Sequence, residues 1–141
     1  MTTKDISFAV ASEFDYIKNI IIPNVFISPQ HECDLLIITK AGYCTEVEIK
    51  VSKADMIKDL SKPHNHNNEK LKFLYYAFSI EIFEECKNFV PEHAGLIKVV
   101  DNKGYFKAIF ERNAIQKPCK KLTTEEILSL ARLGCIRNWT K

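Results

Sequence analysis

The chain has 141 residues, of which 46% are hydrophobic and 27% charged. This balance is typical of a globular protein, and the length fits a single domain over residues 1–141 with a core large enough to fold unaided. The net charge of +2 is too small to indicate nucleic-acid binding by itself. The five cysteines are odd in number and have no C-x-x-C spacing, and we find neither a leader-like start nor an apolar run near 18 residues. We therefore expect a reduced, soluble, cytoplasmic protein with no membrane partner.

The first half of the chain predicts a helix followed by a strand hairpin. Residues 5–22 form one apolar stripe at helical spacing, which Pro23 should end. A short strand at 25–28 should end at Pro29. Residues 33–39 and 44–51 are predicted to be strands, and the short connection at 40–43 contains a glycine, so we expect an antiparallel hairpin.

The second half predicts two more helices around further strands. Residues 53–60 should form a helix with Ser52 at its start, and the polar residues 61–70 should form a loop. Residues 71–80 are predicted to be a buried strand, and a short helix should follow near 81–88. A second hairpin is expected over 95–101 and 105–111, and a last helix should open at Thr123 in a capping-box pattern. This order predicts one α/β domain.

Three charged residues share one face of the second hairpin strand. Side chains alternate along a strand, so Glu46, Glu48 and Lys50 lie on one face and Val47 and Ile49 on the other. Charges in a core strand need a partner, a metal ion or water. An internal salt-bridge cluster is one interpretation, although desolvation offsets much of its Coulomb energy.

A divalent cation is the other interpretation of these charges. Mg²⁺ or Mn²⁺ prefers oxygen ligands and takes one or two protein carboxylates, which Asp34 and Glu48 can supply across the hairpin. The backbone carbonyl of Ile49 could add a third ligand. Lys50 would face the same cavity, where its ammonium could hold an attacking water or stabilise phosphate charge.

The pattern Asp34, followed by Glu48-x-Lys50, resembles the catalytic signature of the PD-(D/E)xK nuclease superfamily. The continuation from Glu48 through Ser52 to Asp55, with Asp59 beyond, is similar to its MmcB-like DNA-repair branch, close to the Holliday-junction resolvases. The likeness covers about residues 5–80, and Cys33 stands where the superfamily often has proline. It implies an α/β, restriction-endonuclease-like fold with a mixed central sheet flanked by helices. It also implies metal-dependent hydrolysis of DNA in repair, recombination or phage DNA processing.

Several branches of the superfamily add a glutamate from the first helix to the metal site. Glu13 is the residue that would fill this role, as a metal ligand or as a base that orients water. It flanks the apolar stripe of the predicted helix. An ordinary solvated position is the alternative.

Residues near the predicted loop could contact nucleic acid. Ser52 begins a helix whose N-terminus could receive a phosphate, although a simple helix cap is the alternative. We interpret the loop histidines mainly as solvated, with nucleic-acid contact as the second interpretation. The residues that we assign to this interface are Ser52, Lys53, Lys62, His64, His66 and Lys70.

Three classes of function follow from these patterns. The first is a metal-dependent DNA endonuclease with Asp34, Glu48 and Lys50 as its centre. The second is a catalytically inactive nucleic-acid-binding module of the same fold, and the third is a structural or partner-binding protein. The sequence does not show which form of DNA is the substrate, or whether the substrate is DNA or RNA. It also does not show whether the protein is a homodimer, as many nucleases of this type are.

Overall fold

The computed structural model describes residues 1–62 and 66–140. In these residues six strands form one mixed sheet with helices on both of its faces. The elements are α1 (Thr3–Glu13), β1 (Ile20–Ser28), β2 (His31–Ile38), β3 (Cys44–Lys50), α2 (Lys53–Asp59), β4 (Leu71–Ser79), α3 (Ile80–Cys86), a 3-10 turn (Lys87–Phe89), β5 (Gly95–Asn102), β6 (Tyr105–Arg112) and α4 (Thr124–Ile136).

The strands lie in the sheet in the order in which they occur along the chain. β1, β2 and β3 form an antiparallel meander, β3, β4 and β5 are parallel, and β6 is antiparallel to β5. Parallel neighbours need a crossover, which α2 provides between β3 and β4 and α3 between β4 and β5. Both predicted hairpins and the α/β class with a mixed sheet are confirmed.

The two faces of the sheet carry different cores. Val47 and Ile49 of β3 pack in one cluster with Ile6 and Val10 of α1. The opposite face holds two clusters, one beneath α4 and one beneath α2 and α3. Burial of one such aliphatic side chain contributes about 1.5–3 kcal/mol, so each helix is held mainly by its apolar face. A strip of polar side chains lies on β3 between these two clusters.

The first helix is shorter than the predicted range 5–22. α1 ends at Glu13, and Asp15 has a φ of 62°, a left-handed conformation that a helix cannot contain. The Asp15 carboxylate accepts the backbone N–H groups of Ile17 and Lys18, which stabilises a tight turn there. Ile17, which the apolar stripe placed in the core, is 85% exposed. The prediction was wrong beyond residue 14.

Pro23 lies inside a strand and does not end a helix. It belongs to β1 and is paired with Leu35 of β2. Since β1 is at the edge of the sheet, one side of it forms no ladder, and a proline without an N–H is tolerated there. The strand predicted at 25–28 is therefore only the second half of β1.

The remaining elements match their predictions closely. The Ser52 side chain accepts the Asp55 N–H and caps α2, and Thr123 and Glu126 form the reciprocal capping box that opens α4. All five cysteines are free, as expected. Among the described residues, every helix is too short or too polar to cross a bilayer.

Candidate metal and catalytic site

The predicted charged residues of β3 share one buried face. Glu46 and Glu48 are 0% exposed and Lys50 is 6% exposed. In the parallel register with β4, Glu48 lies opposite Tyr76 and Lys50 opposite Phe78. The alternation that predicted one charged face is confirmed, and the three side chains lie deep inside the protein.

Asp34 lies just beyond the last paired positions of the β2–β3 hairpin. That pairing ends at Leu35 and Val47. One carboxylate oxygen of Asp34 accepts the backbone N–H of Ile49 at 2.8 Å, so a side chain takes the place of a ladder carbonyl. Burial first, then Glu46 and the charge of Asp34, raise the pKa of Glu48.

Lys50 joins two buried carboxylates. Its Nζ donates to Glu48 Oε2 at 3.1 Å and to Asp59 Oδ1 at 2.9 Å. Burial alone would lower the pKa of Lys50, but the charges of Glu48 and Asp59 outweigh burial and raise it. Lys50 is therefore a charged ammonium at neutral pH.

Asp59, the last residue of α2, connects most of the cluster. It accepts hydrogen bonds from Lys50, from the Tyr76 hydroxyl at 2.6 Å and from His66 Nε2, which lies 2.9 Å from both carboxylate oxygens. Lys62 Nζ lies 3.0 Å from the same carboxylate. Burial opposes the charge of Asp59, yet these partners hold its pKa well below the usual range. Asp59 was given no site role from the sequence, although its spacing of three from buried Met56 indicates that it faces inward.

His66 is a central member of the cluster, and its interpretation as a solvated loop residue was wrong. It is 1% exposed. Its Nδ1 lies 3.0 Å from Glu46 Oε2 and 3.5 Å from Glu48 Oε1. Burial opposes protonation, but Asp59 and Glu46 raise the pKa of His66 to about 9. His64, assigned with it to a nucleic-acid interface, lies outside the described residues.

A second set of donors surrounds the other oxygen of Glu46. His31 Nε2 lies 2.9 Å from Glu46 Oε1. One ligand atom each from His31, Cys33 and Glu46 lies within 4.8 Å of the others, and the same holds for Glu46, Glu48 and His66. All these residues are buried, and burial first, then the nearby glutamates, raises the pKa of the Cys33 thiol. His31 was not predicted from the sequence, because a single histidine at the start of a strand carries no pattern.

One oxygen of Glu48 has a distinct position in this network. Oε2 accepts from Lys50, but no donor of residues 1–62 and 66–140 makes a hydrogen bond with the buried Oε1, and His66 Nδ1 lies 3.5 Å from it. A buried carboxylate oxygen without a donor is costly. Glu46 lies beside Glu48, so a proton on Glu48 or a cation would satisfy this oxygen.

Glu13 is not brought to this cluster. α1 packs against Val47 and Ile49, on the face of the sheet opposite Glu48. The Glu13 side chain is exposed and lines a cavity of about 590 Å³ between α1 and β6. The helical spacing placed Glu13 beside the apolar stripe, but it did not indicate which face of the sheet that stripe covers.

Ser52 and Lys53 lie where α2 begins. Ser52 Oγ accepts the Asp55 N–H at 3.1 Å, which is the helix-cap role. Lys53 Nζ lies 5.5 Å from the centre of the Phe89 ring, a cation–π contact at the surface. Both residues are beside the buried cluster but outside it.

Lys62 and Lys70 differ in their surroundings. Lys62 Nζ lies 3.6 Å from Glu48 Oε2 in addition to its contact with Asp59, and its side chain is 35% exposed. Lys70 pairs with Glu126 of α4 at 3.2 Å and donates to the Lys121 carbonyl. Lys62 therefore contacts the buried cluster while part of its side chain reaches the solvent. Lys70 instead links the end of the loop before β4 to α4.

The cluster predicts a pH-dependent stability of the metal-free protein. Since the pKa of folded His66 is about 9 against 6.5 for an unperturbed histidine, its contribution is complete below pH 6.5 and is lost as the pH rises through 9. The raised pKa of Glu48 acts in the same direction, because the folded state keeps that proton longer. We expect the free energy of unfolding, measured with urea in the presence of a chelator, to fall from pH 6.5 to 9. The fall should be smaller in His66→Gln, and an unchanged or rising stability would contradict this assignment.

The comparisons with known proteins concern the fold. The chain is similar in structure to the SPO1766 protein of unknown function from Silicibacter pomeroyi, with a TM-score of 0.69 and 17% sequence identity. The match covers 99% of this chain and 87% of that one. A scan against protein-family models finds no match, and a search of the curated proteins finds none.

Proposed function

We propose that this protein is a metal-dependent DNA endonuclease with a restriction-endonuclease-like fold. The observation that carries the proposal is the buried Glu48: its Oε2 pairs with Lys50, whereas its Oε1 makes no hydrogen bond with a described residue and has His66 Nδ1 only at 3.5 Å. Asp34 lies at the end of the neighbouring strand pairing. A hydrolytic site needs this combination of oxygen ligands and a fixed cation.

The architecture supports the same proposal. The resemblance to PD-(D/E)xK nucleases implies a mixed sheet flanked by helices, with the Asp and the Glu-x-Lys pair on adjoining strands. Asp34 on β2, and Glu48 and Lys50 on β3, have this arrangement within a six-stranded mixed sheet. The likeness to the Silicibacter pomeroyi protein bears on the fold alone.

The donor set fits a hard divalent cation. Mg²⁺ or Mn²⁺ takes oxygen ligands and keeps several waters, so two carboxylates suffice. Asp34 and Glu48 would hold the ion, with the Ile49 carbonyl as a third protein ligand. When bound, the ion supplies an acidified water and neutralises charge on the phosphate. It would also take the place of the proton on Glu48.

The lysines of the site have separate tasks in this proposal. Lys50, a buried ammonium held by Glu48 and Asp59, orients the attacking water and stabilises the charge that develops on the phosphate. Lys62 is the partly exposed cation at the surface of the cluster, so an incoming phosphate would meet it first. Movement of Lys62 toward the phosphate would uncover Glu48 for the ion.

The test is cleavage of DNA by the purified full chain. We expect nicking or cutting of plasmid, single-stranded or branched DNA in Mg²⁺ or Mn²⁺, and no cleavage in excess chelator, because the ion supplies the nucleophile. Product ends analysed on denaturing gels give the reaction type. Absence of cleavage of all these substrates with either ion would overturn the proposal.

A nucleic-acid-binding module without catalysis is the second candidate. It is favoured by Lys50 and Lys62, which already neutralise Glu48 Oε2 without an ion. It predicts DNA binding that weakens steeply with salt and does not depend on Mg²⁺. Binding without turnover in the experiment above would select it.

A further inference from the structure

We propose a second ion site, for a borderline transition metal of the Zn²⁺ class, held by His31, Cys33, Glu46 and His66. Three of these residues offer one ligand atom each within 4.8 Å of the others. His66 is proposed as the fourth: it belongs to the neighbouring group with Glu46 and Glu48, its Nδ1 lies 3.0 Å from Glu46 Oε2, and its ring packs edge-on against His31 at a centroid distance of 5.6 Å.

The distances are close to those of an ion-bound set. Zn–ligand bonds of about 2.0–2.3 Å place tetrahedral ligand atoms roughly 3.5 Å apart. His31 Nε2 lies 2.9 Å from one oxygen of Glu46, and His66 Nδ1 3.0 Å from the other. Each of these two pairs would have to separate by less than about an ångström for coordination to replace its hydrogen bond. His66 would in addition have to approach His31 and Cys33, since it lies in the neighbouring group. The thiol of Cys33 and the Nδ1 of His66 would each release any proton they carry to solvent on binding.

The contacts of the other ring nitrogen of His66, Nε2, are typical of a metal-ligating histidine. Its Nε2 lies 2.9 Å from both oxygens of Asp59, which in turn accepts the Tyr76 hydroxyl. Histidine ligands commonly donate their other ring N–H to a carboxylate, which fixes the ring and leaves one nitrogen for the metal. Asp59 leaves Nδ1 of His66 directed at Glu46.

The donor types separate this site from the proposed catalytic one. Thiolate and imidazole select Zn²⁺ and similar ions, whereas Mg²⁺ requires oxygen. The four proposed ligands, His31, Cys33, Glu46 and His66, are all buried. Four protein ligands leave no open coordination position, which is typical of a structural ion. The ion would tie His66, from the segment after α2, to β2 and β3 beside Glu48.

Cobalt binding tests the site independently of DNA cleavage. Chelator-treated full chain is titrated with Co²⁺ by absorption and with Zn²⁺ by calorimetry. We expect one Zn²⁺ per chain and the charge-transfer band of a cobalt–thiolate bond. Cys33→Ser should remove the band and weaken Zn²⁺ binding at least about tenfold. Cys44→Ser, a change at another buried cysteine of the same sheet face, should alter neither.

The outcomes are distinct from those of the nuclease proposal. Asp34→Asn should keep the cobalt–thiolate band whatever its effect on cleavage, because Asp34 is not among the four ligands. Wild-type protein that shows no such band overturns the second site, even if Cys33→Ser fails to fold. A band that survives Cys33→Ser, or that disappears in Cys44→Ser, overturns it as well.

Discussion

Asp34→Asn and Glu48→Gln are each expected to lower the rate of Mn²⁺-dependent DNA cleavage at least about 100-fold. Mutation of a residue that only hydrogen-bonds to a metal ligand typically costs about 10- to 100-fold, and loss of a ligand itself should cost more. Each change replaces a charged oxygen ligand by a neutral amide of the same shape. The amide oxygen introduced by Asp34→Asn can still accept the Ile49 N–H that Asp34 accepts at 2.8 Å, so the strand ends should stay in place. Initial rates on plasmid DNA under single-turnover conditions provide the measurement.

Glu69→Gln is the matched control for these two variants. Glu69 pairs with Lys120 at 3.3 Å, and its side chain is 64% exposed, away from the buried cluster. The same chemical change there should leave cleavage within about twofold of wild type, because exposed ion pairs contribute little. Rates within tenfold of wild type in both site variants would refute the assignment of Asp34 and Glu48 as ligands.

Asp59→Asn is expected to lower the free energy of unfolding by about 3–5 kcal/mol in metal-free protein. The carboxylate accepts from Lys50, Tyr76 and His66 and pairs with Lys62, so its neutralisation removes one of the carboxylates that each of these cations contacts. The buried environment makes each unpaired charge expensive. Urea denaturation followed by circular dichroism, in chelator at pH 7, gives the difference directly.

The exposed Glu69–Lys120 pair is again the control, here for the change in stability. Glu69→Gln should change the free energy of unfolding by less than about 1 kcal/mol. A loss below about 1 kcal/mol in Asp59→Asn as well would mean that the cluster is held by something other than the charge of Asp59. The fall in stability is a property of the fold, so it is expected whether or not the protein cleaves DNA.

Under the proposed function, the two interpretations of the charged strand would be different states of one cluster. Without an ion, Lys50 bridges Glu48 and Asp59, which is the internal salt-bridge arrangement. Such a cluster offers little net stability over an apolar core, yet removal of one partner is costly. An ion at Glu48 would exchange the proton and the lysine contacts for coordination. The buried charges lower the stability of the metal-free protein, but they would also keep the site's charged groups in place before the ion binds.

Local patterns in the sequence determined the strands from β2 onward, the charged face of β3 and the capped helices α2 and α4. A period of two placed Glu46, Glu48 and Lys50 on one face, because side chains of any strand alternate. Ser52 and Thr123 marked helix starts, because a cap satisfies N–H groups only two or three residues away. The hairpin, together with the resemblance to a nuclease signature, assigned Asp34 to the same site, and that assignment stays a prediction.

Only the tertiary structure decided which distant residues complete the cluster. His31 and His66 meet Glu46 across 15 and 20 residues, and Tyr76 meets Asp59 across 17. No local period encodes such contacts, and His66 stands in a polar stretch that is typical of a solvated loop. The same limit explains the end of α1. The apolar stripe continued to Ile21, but pairing with β2 made residues from Ile20 onward more stable as an edge strand than as a helix.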